Sequence, residues 1–368
     1  MVKKITYVFL DGRRTRVSDQ SYSDDFFYGY RHFKTNKESY DVQLLEMSET
    51  KKTFFTPFWS FVDYFLRKLS KCSFFLQNMM TLENYKRISQ TDVLVLTTDR
   101  IGFSSLPFLF LLKIKKKKII MFAMGMTKID FKYKITEYAN LFFTKLLIYT
   151  CSKVLFLSSN EHKVAKLKFP KYELKLQFVP FCIDTDFWTG ENSIKEDGSL
   201  LFIGNDGNRD YKLVESISNE LVDFKPVLIS RRINQSNLND EVQLIRGSWK
   251  ADVISDELLK NYYTNSLLVF LPLTESLQPS GQSVALQAMS MGIPVVITET
   301  KGFWDSEKLI DQEHIFLVNY TTKEQWSKFI KDLLENRKLL KTISKNARKV
   351  VIENYDHKIL HETLKELF

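Results

Sequence analysis

Short apolar runs alternate with longer amphipathic stretches along the whole chain. In the first half, strands are expected at Ile5–Leu10, Asp41–Leu45, Asp92–Thr97, Lys118–Ala123 and Lys153–Ser158. Helical periodicity falls between them, over Ser23–Phe33, Phe54–Met80 and Phe131–Tyr149. The second half repeats the pattern, with strands at Leu200–Ile203, Pro226–Ile229, Val242–Ile245, Leu267–Leu271, Val295–Ile297 and Ile315–Leu317. Helices are expected at Tyr211–Glu220, Ser255–Tyr263, Gly281–Met291 and Lys323–Glu335, and the tail from Arg337 to Phe368 reads as helix almost throughout. Strands alternating with helices predict parallel sheets covered on both faces.

The alternation is interrupted once. The segment Phe178–Trp188 contains Pro180 and two aspartates, and the polar stretch Thr189–Gly198 follows it before the next apolar run. A chain of 368 residues is long enough for two domains, each with its own core. The pattern therefore predicts an N-terminal domain at residues 1–182 and a C-terminal domain at 183–349, with a last helix at about 350–368 packing back on the first. No run spans a membrane: the longest candidate, Ile101–Leu112, falls short of the roughly 20 apolar residues required. The N-terminal apolar run is short, lacks a small-residue cleavage site and leads into Asp11-Gly-Arg-Arg, which reads as a first strand.

Charge changes this picture more than composition does. Residues 1–183 hold 31 Lys and Arg against 16 Asp and Glu, a balance of +15, while residues 184–368 hold 22 against 28, a balance of −6. A basic half joined to an acidic half suggests two surfaces with different partners, the basic one suited to phosphate-rich material. Three cysteines, Cys72, Cys151 and Cys182, have no paired spacing, which fits a reducing compartment and excludes a cysteine-rich zinc site. The five histidines are scattered, and Asp184-Thr-Asp186 sits where turn capping explains it better than metal binding.

The most informative stretch is Val269–Thr298. It reads as buried strand, polar loop, small-residue helix, Gly turn and second buried strand, which is one βαβ unit. Its helix opens at Ser280-Gly-Gln-Ser283, where successive backbone N–H groups face the positive end of a helix dipole and suit an anion. Gly292 and Pro294 end the helix and restart the chain as a strand.

These motifs together resemble a GT-B glycosyltransferase of glycosyltransferase family 4 (glycosyl transferases group 1). Val179-Pro-Phe-Cys-Ile-Asp-Thr-Asp-Phe187 is similar to that family's inter-domain segment, and Leu201-Phe-Ile-Gly204 to its first C-domain strand. Pro279 to Val296 resembles its nucleotide-sugar loop and helix, and Leu339–Arg348 with Tyr355 its terminal helices. The likeness is good over residues 178–368 and holds only in outline before them. It implies an α/β fold of two Rossmann-like, doubly wound αβα domains facing an interdomain cleft. It also implies that the C-terminal domain holds a nucleotide-sugar donor and the N-terminal domain the acceptor.

Carried over residue by residue, the resemblance implies donor contacts at Gly204, Asn205, Arg209, Lys212, Arg231, Ser280, Gly281, Gln282, Ser283 and Gln287, with Asp206 in the same turn. Arg and Lys there would stabilise a departing nucleoside diphosphate without a metal, so no metal and no cofactor is expected. Each also has a plainer reading, as a solvated turn, a capping Asp or a surface pair. The chain departs from the family's Glu-x7-Glu: Gln287 stands at the second position and Pro279 at the first. Gln287 keeps a hydrogen bond to a ribose hydroxyl without charge assistance, and Glu275 is the candidate replacement for the lost carboxylate. The histidine that family members often present after the fourth strand is absent, since Ala123-Met-Gly-Met126 stands there. Retaining transfer survives that loss if the departing phosphate takes the acceptor proton. Asp99 is the acidic candidate on the acceptor side, with a helix N-cap as its other reading.

The +15 half, the run Lys113–Lys118 and the aromatic segment Phe54–Leu69 point to a cytoplasmic enzyme, peripheral on the inner face of the cell membrane. Its acceptor would be a glycan or a lipid-linked glycan, in cell-surface polysaccharide or glycolipid synthesis. The aromatic segment reads equally as an ordinary core helix. Two further functions stay open: a nucleotide-sugar 2-epimerase of the same fold and a catalytically inactive GT-B partner subunit. Nucleic-acid binding is excluded, because the basic residues are dispersed over an α/β pattern without a recognised motif.

Overall fold

A computed structural model describes residues 2–47, 56–127, 131–190, 197–247 and 253–368. Phe54 and Phe55, at the start of one expected helix, and most of the polar stretch 189–198 lie outside the described residues. The chain divides into two compact units, residues 1–19, 27–180 and 360–368 in the first and residues 20–26 and 181–359 in the second. Residues 20–26, which the sequence places with the N-terminal domain, thus belong to the second unit.

The first unit is built on a parallel sheet of β1 (Lys3–Leu10), β2 (Tyr40–Met47), β3 (Val93–Leu96), β4 (Lys118–Ala123), β5 (Lys153–Phe156) and β6 (Leu176–Phe178), in the order β2-β1-β3-β4-β5-β6. Its helices are α1 (Tyr30–Thr35), α2 (Thr56–Ser70), α3 (Leu82–Ser89), α4 (Asp99–Ile114), α5 (Lys134–Thr150) and α6 (Ser159–Lys168). β3 is buried at every position, as a strand covered on both faces must be. Two expected helices are shorter than their periodicity suggested. The stretch Ser23–Phe33 breaks at Tyr28 and Gly29, both at positive φ. The stretch Phe54–Met80 stops at Ser70, where Lys71 takes a left-handed conformation, and resumes only as a single tight turn at Leu76–Asn78. The apolar run Ile101–Leu112 is the body of α4, and among the described residues no helix is long and apolar enough to cross a membrane.

The second unit repeats the plan with β7 (Ser199–Ile203), β8 (Val227–Ile229), β9 (Gln243–Ile245), β10 (Ser266–Leu271), β11 (Val295–Thr298) and β12 (Phe316–Val318). The order is β12-β11-β10-β7-β8-β9, with all named pairs parallel. Its helices are α7 (Tyr211–Glu220), α8 (Asp256–Thr264), α9 (Gln282–Ser290), α10 (Lys323–Glu335), α11 (Arg337–Asn354) and the start of α12 (His357–Leu367). The tail, expected as helix almost throughout with a last helix from about 350, is broken at Tyr355–Asp356, so the last helix starts at His357. There Ile183 inserts, donating to Tyr355 O at 2.8 Å and accepting from His357 N at 2.8 Å. The connections leave β7 toward one edge and reach β10 on its other side, so the strand order reverses between them. In open parallel sheets that reversal opens a crevice at the carboxyl ends of the two strands.

Candidate active site

Three loops leave the carboxyl ends of β7, β10 and β8 in the second unit, and the first two are tied together. Past β7, Arg209 bridges to Leu273 beyond β10, Asp210 N donates to Pro272 O at 3.0 Å, and Thr274 N donates to Asn208 O at 3.0 Å. This clamp aims the Arg209 side chain inward, where it is only 5% exposed. Its Nη1 donates to Ser280 Oγ at 2.9 Å, its Nη2 lies 3.5 Å from Asp206 Oδ2, and Ser280 Oγ donates to the same Asp206 oxygen at 3.0 Å. Nε has no hydrogen-bond partner among the described residues. Burial pulls the guanidinium's pKa down from its ordinary value, with Asp206 opposing that shift. Guanidinium basicity is high enough that the group stays a cation.

Two glycines make room for this cation. A Cβ at Gly204 would lie 2.7 Å from Arg209 Nε, and one at Gly281 would lie 3.1 Å from Nη1 and 2.9 Å from Ile297 Cδ1. Gly281 has φ +80°, a left-handed conformation that L side chains resist. It is also the N-cap of α9, and no side chain caps that helix. The buried arginine and the uncapped positive end of α9 thus meet at Ser280–Gly281, two sources of positive potential at one crevice. At its far end α9 closes with Gly292 at φ 75°, Ile293 N donating to Ala288 O at 2.9 Å and Gly292 N to Met289 O at 3.0 Å.

The structure brings together Gly204, Asp206, Arg209, Ser280 and Gly281, with Gln282 buried and Ser283 half-buried in the next turn. Other candidates are placed differently. Lys212 projects from the exposed side of α7, and Arg231 is exposed past β8. Asn205 spends its amide on the scaffold, donating to Gly247 O at 2.9 Å and accepting from Arg231 N at 2.8 Å. Glu275 is exposed and accepts from Lys301 N at 3.0 Å, which ties the β10 loop to the β11 loop. Beside it a Cβ at Gly302 would lie 2.7 Å from each of three carbonyl oxygens, those of Ser276, Leu277 and Gln278, so that loop fits only over glycine. Asp99 belongs to the first unit, at the first helical position of α4, and the N-cap there is Thr98, whose hydroxyl accepts from Ile101 N at 3.3 Å.

Gln287 is buried and engaged by the protein itself: Nε2 donates to Asp25 Oδ2 at 2.7 Å and Oε1 accepts from Tyr263 Oη at 3.1 Å, with the residue 4% exposed. Asp25 comes from the segment 20–26 and also accepts from Trp188 Nε1 at 2.7 Å and Asp184 N at 2.7 Å. Its neighbour Ser23 donates through both N and Oγ to Asp256, each at 2.9 Å. Burial, and then repulsion from Asp256, push the Asp25 carboxyl up to about 7, against the pull of its three hydrogen bonds. Nothing in the sequence pairs Asp25 with Gln287, 262 positions away. Asp184 caps its own turn, accepting from Phe187 N at 3.0 Å, and Asp186 meets Lys358 at 2.9 Å. Asp24, Asp184 and His357 offer one ligand atom each within 4.8 Å of one another, a grouping that sequence spacing does not reveal.

Residues 228–350 match the family model described as Glycosyl transferases group 1. This part of the second unit is therefore similar to a glycosyl transferases group 1 domain. The match runs from β8 through α11 and so covers the Ser280–Ser283 loop and the α9 helix. No curated protein sequence matches the chain. Solved structures share its fold at low identity. Sucrose-phosphate synthase from Thermosynechococcus elongatus aligns with a TM-score of 0.68 at 12% identity, over 99% of this chain and 98% of its own. Anabaena HepE in complex with UDP-glucose aligns at 0.64 and 13%, over 99% and 98%. A glycosyltransferase from Rickettsia africae aligns at 0.61 and 14%, over 100% and 97%.

Proposed function

We propose that this protein is a glycosyltransferase that moves a sugar from a nucleotide-sugar donor to a glycan or lipid-linked acceptor, with retention at the anomeric carbon and without a metal. The observation that carries the reading is Arg209, a buried cation held between Gly204 and Gly281 at the uncapped start of α9. Glycosyl transfer from such a donor releases a nucleoside diphosphate, and charge grows on its phosphate oxygens as the bond to the sugar breaks. A fixed guanidinium and oriented amides suit that developing charge, because they need no reorganisation during the reaction. The solved complex of HepE with UDP-glucose supports a donor of this class. Cell-surface polysaccharide or glycolipid synthesis is the setting that fits a glycan acceptor, and cytoplasmic donor supply fits the three free cysteines, Cys72, Cys151 and Cys182.

A thermal-shift panel of nucleoside diphosphates and their sugars tests the donor half. At least one nucleoside diphosphate should raise the melting temperature in a concentration-dependent way, and its sugar should be consumed faster once an acceptor glycan is added. A panel without any shift removes the reading. Turnover that proceeds equally without acceptor assigns the chain to epimerisation instead.

A further inference from the structure

Two neighbouring helices of the first unit carry aromatic side chains on the face turned to solvent. α2 directs Trp59, Val62 and Leu66 toward the core and buries Asp63, which accepts from Leu76 N at 2.7 Å and Gln77 N at 3.1 Å. Its opposite face carries Phe58, Phe61 and Phe65 at 59, 71 and 57% exposure. α5, which packs on α2, shows the same inversion. It buries Thr136, Asn140 and Thr144, and Asn140 donates to Ser70 O at 2.9 Å. It exposes Ile135, Tyr138 and Phe142, the last two at 69 and 59%. A surface helix normally places its polar residues outside. Here threonine and asparagine are spent inside the unit while phenylalanines face out on both helices, so the outer medium that this face fits is itself partly apolar.

The charges on this face select that medium. Lys68, Lys134 and Lys145 are exposed on the two helices, whose only exposed acid among the described residues is Glu137. Lys68 Nζ lies 5.9 Å from the Tyr64 ring, and Lys113, at the end of neighbouring α4, has Nζ 4.4 Å from the Tyr149 ring. Phenyl rings that reach the acyl boundary, tyrosines at headgroup level and lysines toward phosphate are the composition of an interfacial helix face. A second copy would set the same lysines against one another, whereas an anionic lipid surface complements them.

We infer that the outer face of α2 and α5 docks this enzyme on an anionic lipid bilayer. The inference deepens the acceptor half of the proposed function by placing the acceptor at a membrane surface. It is measured without any sugar donor, so the two can fail separately.

Vesicle flotation supplies the test, using phosphatidylglycerol mixed with phosphatidylcholine against phosphatidylcholine alone. The enzyme should float with the anionic vesicles at low salt and release as salt is raised. The double variant Phe61→Ser, Phe142→Ser should lower the partition coefficient by at least about tenfold, from lost apolar insertion. Lys68→Glu with Lys145→Glu should abolish the preference for anionic lipid. Both variants change exposed side chains and should keep the wild-type melting temperature. Absence of wild-type binding at low salt overturns the inference, as does a phenylalanine variant that binds undiminished. A concentration-dependent dimer, lost in that variant and unaccompanied by vesicle binding, would overturn it in favour of a second copy.

Discussion

Arg209 shows how few residues are needed to fix a buried cation. Its guanidinium has one serine, one carboxylate and two glycines around it, Ser280, Asp206, Gly204 and Gly281, all of them named from the sequence. The close approach of Gly204 and Gly281 to a charged group was legible because a strand end and a helix start both favour glycine there. The protein partners of Asn205 and Gln287 were not legible, because an amide's distant partners leave no mark in sequence. Arg209→Lys keeps the charge but loses the fork that reaches Ser280 and Asp206 together. It should lower kcat/KM by about 100-fold or more with little change in melting temperature. Gly281→Ala should do worse, since strain at φ +80° adds to a contact with Arg209 Nη1. The expected cost is about 1–3 kcal/mol of stability together with lost donor affinity, checked by denaturant unfolding and by the nucleoside diphosphate titration.

At the scale of elements, most strands stand where the apolar runs placed them, because a strand buried on both faces has little freedom in composition. Helix ends were less legible. α2 stops at Lys71 by a left-handed residue of a type that does not advertise it, and α12 starts where Ile183 inserts from far along the chain. The short segment 20–26 was the least legible of all, since its partners lie in α8, α9 and the turn at Trp188. That segment carries a pH prediction. Asp25 has its pKa raised from 3.8 to about 7 in the folded unit. A carboxyl raised on folding favours the folded state fully below its unfolded value, and that contribution is lost as pH rises through the folded value. Stability of the second unit should therefore fall between about pH 4 and pH 7 through this group. Asp25→Asn should flatten the fall, which thermal unfolding across that range measures in both proteins. Parallel pH profiles would show that Asp25 does not titrate in this window.

At the scale of the whole molecule, each unit is assembled from distant pieces of chain. The first unit takes in residues 360–368, whose Leu360, Leu364 and Phe368 are all buried. Phe368 stacks edge-on against Phe33 with centroids 4.7 Å apart, and its carbonyl accepts from Lys3 Nζ at 2.6 Å and Lys118 Nζ at 3.0 Å. Phe368→Ala should cost about 3 kcal/mol, in line with other large-to-small changes in cores, and urea unfolding followed by a probe in the first unit will detect it. Two-domain organisation was visible in the sequence from the break after Phe178. The exchange of segments 20–26 and 360–368 was not, because neither carries a compositional mark.

That exchange has a consequence for biosynthesis. Asp256, which receives Ser23, is made more than 200 positions after the segment 20–26. The first unit in turn waits for side chains that follow residue 359. The first unit therefore cannot finish packing before the second has been made, and Phe33 meets Phe368 only after residues 181–359 have been synthesised. Nascent chains of this protein should depend on chaperone holding more than a tandem of contiguous domains would.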